Sequence, residues 1–449
     1  MSTLIRNGLL CFEDRVEPAD LLVRDEAIAE IAPHVTADAD EIIDAAGAFV
    51  LPGMIDIHTH LADRIGNYDL ADDYLSGTRV AVQNGITTVA TFITETTDHP
   101  LEDAVACALR RAENNCYADH WWHLTPIRYD DAGWEAVERL IAHGFRTWKF
   151  YTTYRQAGLY CDYDRLEWIL SKLSGRGIRV LLHCEDDDVL ASVHLTDDTW
   201  QKPLAHALSR PPQAEVIAVR EVLRRAERYD VALHIVHVSL PDSLELIADA
   251  RASVQVTCET CPQYLFLDQT SLQREDGHRW ICSPPLRSLY ARRALAEMAL
   301  NGAVDLFATD HCAFTRADKD RCRGHIPDVP NGIAGIGALP HLVYALFAQH
   351  RPEPLTEMAR YLAANPARLL GTYPRKGVLA QGSDADFSIC RAMTDGGPVR
   401  SSLADVHETY PGETSRLWFE RVFVRGREVV RQNTLLHPEE RRGKSVWPT

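Results

Sequence analysis

The chain has 449 residues, 46% hydrophobic and 25% charged, enough to bury a large core and leave material for a second, smaller unit. Its 64 acidic against 47 basic side chains give a net charge of −17, so no basic surplus exists to neutralise phosphate, which argues against nucleic acid or an anionic membrane as partner. No apolar run is long enough to cross a bilayer, the opening "MSTLIRNGLLCFEDRVEPAD" lacks the pattern of an export signal, and the 11 cysteines follow no disulfide-scaffold rhythm; a reducing, cytoplasmic location is the expectation.

The first fifty residues read as short strands broken by turns, in "TLIRNGLLC", "ADLLVRDEAIAEI" and "EIIDAAGAFV". The texture then changes. Apolar or β-branched runs at "GMIDIH", "TTVATFI", "WWHLTPI", "RTWKFYT", "RVLLHCE", "ALHIVHV", "VQVTCET" and "DLFATDH" alternate with helical patterns such as "LEDAVACALRRAENN", "DRLEWILSKLSG" and "AEVIAVREVLRRAERY". Eight strands alternating with helices predict an α/β fold of the (β/α)8 TIM-type barrel class. The irregular stretch at 261–285 is longer than a plain connection needs, and loops of that length commonly serve function. Short strands return in "GSDADFSIC" and "RLWFERVFVRGREVV". The expected division is a small β-sandwich domain built from both termini, 1–52 with 371–449, around a barrel at 53–370.

Active sites of such barrels lie at the C-terminal ends of the strands, so ligand-type residues should stand where the strand patterns stop. In "LPGMIDIHTH", His58 and His60 are two apart and share one strand face. Lys149 closes the fourth strand pattern, His183 the fifth, His237 the sixth and Asp310 the eighth. Singly, each has a plainer reading: a hydrogen-bonded core histidine, or a carboxylate capping a turn. His234 is expected to be such a core histidine, because odd spacing sets it on the opposite face from His237, and Cys258 and Cys261 read as structural thiols. Lys149 is harder to dismiss. It sits among Trp148, Phe150 and Tyr151, where an ammonium is costly to bury and its pKa falls. A neutral amine there can take up carbon dioxide as a carbamate, a two-oxygen anion able to bridge two metals.

Taken together, "GMIDIHTH", "WKFYTTY", "LLHCE", "HIVHVS" and "ATDHCAF" resemble the motif set of the cyclic amidohydrolases of the amidohydrolase superfamily, nearest to dihydropyrimidinases and hydantoinases, with allantoinases and dihydroorotases as relatives. The likeness runs through "DDYLSGTRVAVQNGITTV", "ETCPQYL", "SPPLR" and "NPARLLGTYPRKGVLAQGSDAD". It implies a binuclear metal hydrolase that opens a small cyclic amide or imide by C–N cleavage, with water activated between the metals. His58, His60 and Asp310 would hold one ion, His183 and His237 the other, and carboxylated Lys149 would bridge them. Zinc is the usual metal of the group; the donors also suit manganese, cobalt or iron. Asp310 would carry the proton from water to the leaving nitrogen. Tyr154 would hydrogen-bond the attacked carbonyl, and Ser283 and Asn331 would hold the amide edge of the ring. A homo-oligomer, tetramer or dimer, is implied as well.

Three departures bear on the substrate. Ala62 stands where dihydroorotases normally carry arginine, "LADRIGNYD" differs from the group's usual Met-Pro-Phe stretch, and Gly337 replaces a frequent glutamate. Allantoinase or dihydroorotase activity is the alternative, and allantoinases usually lack the tyrosine represented by Tyr154. A non-catalytic scaffold is disfavoured by all six candidate ligands, and a single-metal deaminase by Lys149 in its motif.

Overall fold

The computed structural model describes residues 2–448. Eight strands, Met54–Thr59, Ile86–Thr94, Asp119–Thr125, Thr147–Tyr151, Arg179–His183, Ala232–Ile235, Val256–Thr260 and Leu306–Phe307, pair in parallel and in chain order. Between the first and the last, the His60 amide donates to the His311 carbonyl at 2.7 Å and the His311 amide to the His58 carbonyl at 3.3 Å. The barrel therefore closes at its rim, next to the candidate ligands.

The helices outside it form for local reasons. Tyr163–Leu173 starts where the Asp162 carboxylate accepts the Arg165 amide at 2.8 Å, and buries Leu166, Ile169, Leu170 and Leu173 against the strands. That is the three-and-four spacing of an amphipathic helix with an N-cap. Pro212–Ala226 has proline in its first turn and buries Ala218, Val219, Val222 and Leu223 in the same way. None of the helices is long and apolar enough to cross a membrane.

A second, nine-stranded sheet joins N-terminal strands within Ser2–Pro52 to strands within Phe387–Leu435. Its seam is the pairing of Phe49–Pro52 with Phe387–Cys390, and Ile5, Leu10, Leu21, Val50, Phe387, Ile389 and Phe423 fill its core. The fold is the barrel with a terminal β-unit that the sequence pattern predicts. Two C-terminal segments leave this sheet. Ser402 and Thr409 reach the barrel rim, hydrogen-bonding Asp72 and the Ala334 carbonyl, while Lys444 and Val446 pair with His120 on the third strand. Lys376, Asp119 and Asp386, all buried, form an ionic junction between barrel and sheet, with Arg425 also on Asp119.

Candidate metal centre

The first strand delivers His58 and His60 with ring centroids 5.5 Å apart. The His58 ring lies 5.4 Å from that of His237, which lies 4.5 Å from His183. One oxygen of Asp310 stands 3.1 Å from His58 Nε2 and 3.5 Å from His60 Nε2. Lys149 is buried beneath them, its ammonium 5.1 Å from the Phe92 ring, which stacks on His60 at 4.7 Å. All six candidate ligands from five strand ends thus gather around one point on the rim.

Two of them lie past their strands. The sixth strand stops at Ile235 and the eighth at Phe307, and His237 and Asp310 follow with φ of 41° and 50°. Left-handed backbone at a non-glycine residue costs of order 1 kcal/mol and collects at functional sites. This turn also breaks the strand alternation, so His234 does not face away from the site. It lies inside the barrel, donating from Nε2 to Glu259 at 3.0 Å, and Glu259 in turn binds His58 Nδ1.

Glu259 is therefore the organiser of the inner half. Fully buried, it accepts from His58, His234 and the His237 amide (3.2 Å). Glu185 does the same for the outer half: it binds His183 Nε2 at 2.8 Å and is itself gripped by Arg210. Fixing one imidazole nitrogen on a carboxylate leaves the other to serve as a ligand and raises its basicity. Asp56, the acidic residue in the first strand, is buried and accepts the Thr309 hydroxyl at 2.6 Å, which fixes the chain immediately before Asp310. The sequence singled out none of Glu259, Glu185, Arg210 and Asp56.

The electrostatics follow from this packing. Burial pulls the Lys149 amine down to about 8, against the opposing pull of Asp310 and Glu259. Burial takes His183 down to about 4, so its imidazole is neutral and free to ligate at pH 7. Burial alone would raise Asp310, yet His58 and His60 hold its carboxyl well below the usual range. Ligand atoms of His58, His237 and Asp310 lie within 4.8 Å of one another, and His237 Nδ1 is buried without a hydrogen-bond partner. Three histidines in neutral or carboxylate-oriented form, an ionised aspartate and an orphaned imidazole nitrogen fit a divalent cation.

Residues 49–429 match the amidohydrolase family. The chain belongs to that family. A D-hydantoinase of Rhizobium radiobacter is 31% identical over 444 residues, covering 97% of this chain and 96% of the relative. Among solved structures, the dihydropyrimidinase of Brevibacillus agri superposes with a TM-score of 0.93 at 29% identity, covering 99% of this chain and 98% of that one. A D-hydantoinase from a Bacillus sp. AR9 gives 0.93 at 30% identity, with 100% and 99% covered.

Around the centre of this amidohydrolase, the other candidate residues hold separate positions. Tyr154 sits 5.1 Å, ring to ring, from His183, with φ of 67°. Burial pushes its hydroxyl up to about 12, so it stays protonated and able to donate. The Ser283 hydroxyl is 3.2 Å from His206 Nε2. Asn331 is held to the same rim by its carbonyl, which accepts the Cys312 thiol at 3.8 Å. The 261–285 stretch folds as a short helix, Pro262–Phe266, and two single turns before it brings Ser283 to the site. Gly337, the departure from a frequent glutamate, has no room for a side chain: a Cβ there would stand 2.4 Å from the Arg400 carbonyl oxygen. Cys258 and Cys261 are buried free thiols, as is expected of structural cysteines.

Proposed function

We propose that this amidohydrolase opens a cyclic amide or imide ring of the dihydropyrimidine or hydantoin type. The observation that carries the reading is the convergence of four histidines, Asp310 and buried Lys149 beside a protonated Tyr154. His58, His60 and Asp310 would hold one divalent ion and His183 and His237 a second, with Lys149 buried beside both sets. Two such ions, zinc by preference for imidazole and carboxylate donors, would supply Lewis acidity and acidify a water at neutral pH.

The chain's own groups do the rest. Lys149, its amine lowered to about 8, adds carbon dioxide at Nζ from its neutral fraction: the N–C bond forms as one C=O π bond of carbon dioxide opens, the nitrogen loses a proton to solvent, and the carbamate would serve as an anionic ligand. Asp310, ionised and facing the histidines, accepts the proton of the attacking water and returns it to the ring nitrogen as the C–N bond breaks. The Tyr154 hydroxyl donates to the carbonyl oxygen as negative charge builds on it. Ser283 and Asn331 bind the amide edge of the ring, chiefly through main-chain groups. Glu259 and Glu185 keep the imidazoles in the ligating tautomer.

Tyr154 favours a dihydropyrimidine or hydantoin over allantoin, and Ala62 gives no cation for the carboxylate of dihydroorotate. The division into 1–52 with 371–449 and 53–370 is supported by the two separate sheets. A homo-oligomer, dimer or tetramer, belongs to the same reading. The thiols, all free, suit the cytoplasm. The test is a panel of dihydrouracil, 5-substituted hydantoins, allantoin, dihydroorotate and cyclic imides, with zinc and bicarbonate supplied, beside Lys149→Ala. Turnover of dihydrouracil or a hydantoin, lost in the variant, is expected. Turnover of allantoin or dihydroorotate alone refutes the roles given to Tyr154 and Ala62.

A further inference from the structure

Lys319 is 2% exposed, and no carboxylate pairs with it among the described residues. Its ammonium donates to two main-chain carbonyls, Ile281 at 2.8 Å and Pro330 at 2.6 Å, and lies 5.7 Å from the Phe314 ring. A cation buried without a counter-charge is costly, and the neutral form gains accordingly: burial draws this amine down to about 7. The two carbonyls it holds are not arbitrary. Ile281 is two residues before Ser283, and Pro330 is one residue before Asn331.

The same two segments meet at one further point, where the Gly332 amide donates to the Ile281 carbonyl at 3.0 Å. The Cys312 amide, two residues past Asp310, donates to the Ile333 carbonyl at 3.0 Å. The carrier of Lys319 is a single short helix, Arg316–Arg321, capped by Thr315. Next in that helix, Asp320 accepts from His278 at 2.8 Å and from Arg279 at 2.8 and 2.7 Å, gripping the chain just upstream of Ile281. One helix thus ties together the walls bearing Ser283 and Asn331, and the Cys312–Ile333 bond separately fastens the second wall to the strand end bearing Asp310.

We propose that Lys319 is a positioning residue for substrate: its side-chain nitrogen, through two donated hydrogen bonds, sets the separation of the 281–283 and 330–332 segments that bind the edge of the cyclic amide. The proposal rests on the substrate roles given above to Ser283 and Asn331. It predicts a defect in binding with the metal centre intact.

Lys319→Met keeps the length and apolar body of the side chain and removes both hydrogen bonds. Lys319→Gln retains one donor group and provides a second folded variant should the first be unstable. Three quantities are measured on each folded, zinc-loaded variant: bound metal, hydrogen–deuterium exchange at the Gly332 amide, and kcat and KM separately for the ring the wild type opens. In Lys319→Met the metal content is expected to stay at the wild-type value while Gly332 exchanges about tenfold faster or more. KM should rise about tenfold, kcat should change far less, and Lys319→Gln should fall between. Unchanged Gly332 exchange in both variants overturns the clamp, whatever happens to KM. Faster exchange with an unchanged KM overturns instead the placement of Ser283 and Asn331 against the substrate, and the proposal with it. Loss of metal together with kcat overturns the assignment to substrate positioning.

Discussion

Glu259→Gln is the most informative single change at the metal centre. The carboxylate of Glu259 accepts from His58 Nδ1 and the His237 amide on one oxygen and from His234 Nε2 on the other. Burial would raise its pKa, but His58 and His234 hold it well below the usual carboxylate range, so it is an anion at every working pH. Glutamine has the same shape and can keep its oxygen toward His58 and His237. Its NH2 then faces His234, whose tautomer can exchange because His234 Nδ1 also contacts the Thr257 hydroxyl at 2.9 Å. What is lost is the charge on the bond to His58. Hydrogen bonds to an ionised partner are worth about 1.5–3 kcal/mol against roughly 1 for neutral pairs, a difference of about 0.5–2 kcal/mol. At about 1.4 kcal/mol per factor of ten, zinc affinity should fall roughly 2- to 30-fold, the upper part of which overlaps the roughly 10- to 100-fold usual for such outer partners. The assay is competition for zinc against a chelator of known affinity, with circular dichroism to confirm the fold. A folded Glu259→Gln protein that holds zinc as tightly as the wild type would refute the orienting role.

Three further outcomes are expected. Tyr154→Phe should lower kcat by about 100-fold with bound metal unchanged, as loss of one donor to a developing oxyanion usually does; an unaltered kcat removes Tyr154 from the chemistry. Burial depresses His120 and His341 to about 4 and His123 and His206 to about 3, so the unfolded chain takes up their protons first on acidification. Stability is then complete above the unfolded value near 6.5 and declines as pH falls toward the folded values, by about 1.4 kcal/mol per pH unit for each histidine. His341→Gln, remote from the metal centre and bonded to Asn84 and Ser415, should reduce that slope by one histidine's share in urea titrations between pH 6.5 and 4.5; an unchanged slope contradicts the assignment. Lys376→Met leaves Asp119 and Asp386 buried with Arg425 as their remaining cation and should cost about 3–5 kcal/mol in urea unfolding; a loss under about 1 kcal/mol would show that the junction does not fasten sheet to barrel.

The barrel was legible because its strands are bounded apolar runs and its helices carry a clean three-and-four spacing. The six candidate ligands were legible because strand ends are the one place in this fold where histidine, lysine and aspartate recur for a reason other than packing. The alternation rule failed at His234: the chain turns into the left-handed region at His237, and no local pattern announces that. Glu259, in "VTCET", was invisible for a different reason. A glutamate at a strand end reads as a solvated rim charge until the neighbouring strand is known to set His234 and His58 against it. Arg210 and Lys319 come from helical connections whose approach to the rim is fixed by tertiary packing alone. The stretch at 261–285 was flagged by length, but which of its residues faces the site depends on the turns at 271–273 and 277–280 that no periodicity marks.

The closure of the barrel through His58, His60 and His311 also has a meaning in time. The candidate ligands on the first strand leave the ribosome long before Asp310, about 250 residues later; at elongation rates of about 5–20 residues per second that is a delay of roughly 10–50 s. The N-terminal strands wait longer still, because Phe49–Pro52 finds its partner only at Phe387–Cys390. A growing chain therefore displays an incomplete pair of imidazoles and an open sheet edge for most of its synthesis. The full set of candidate ligands is assembled only after roughly two-thirds of the chain has been made, and a chain truncated before residue 310 lacks both Asp310 and the His311 contacts that close the barrel.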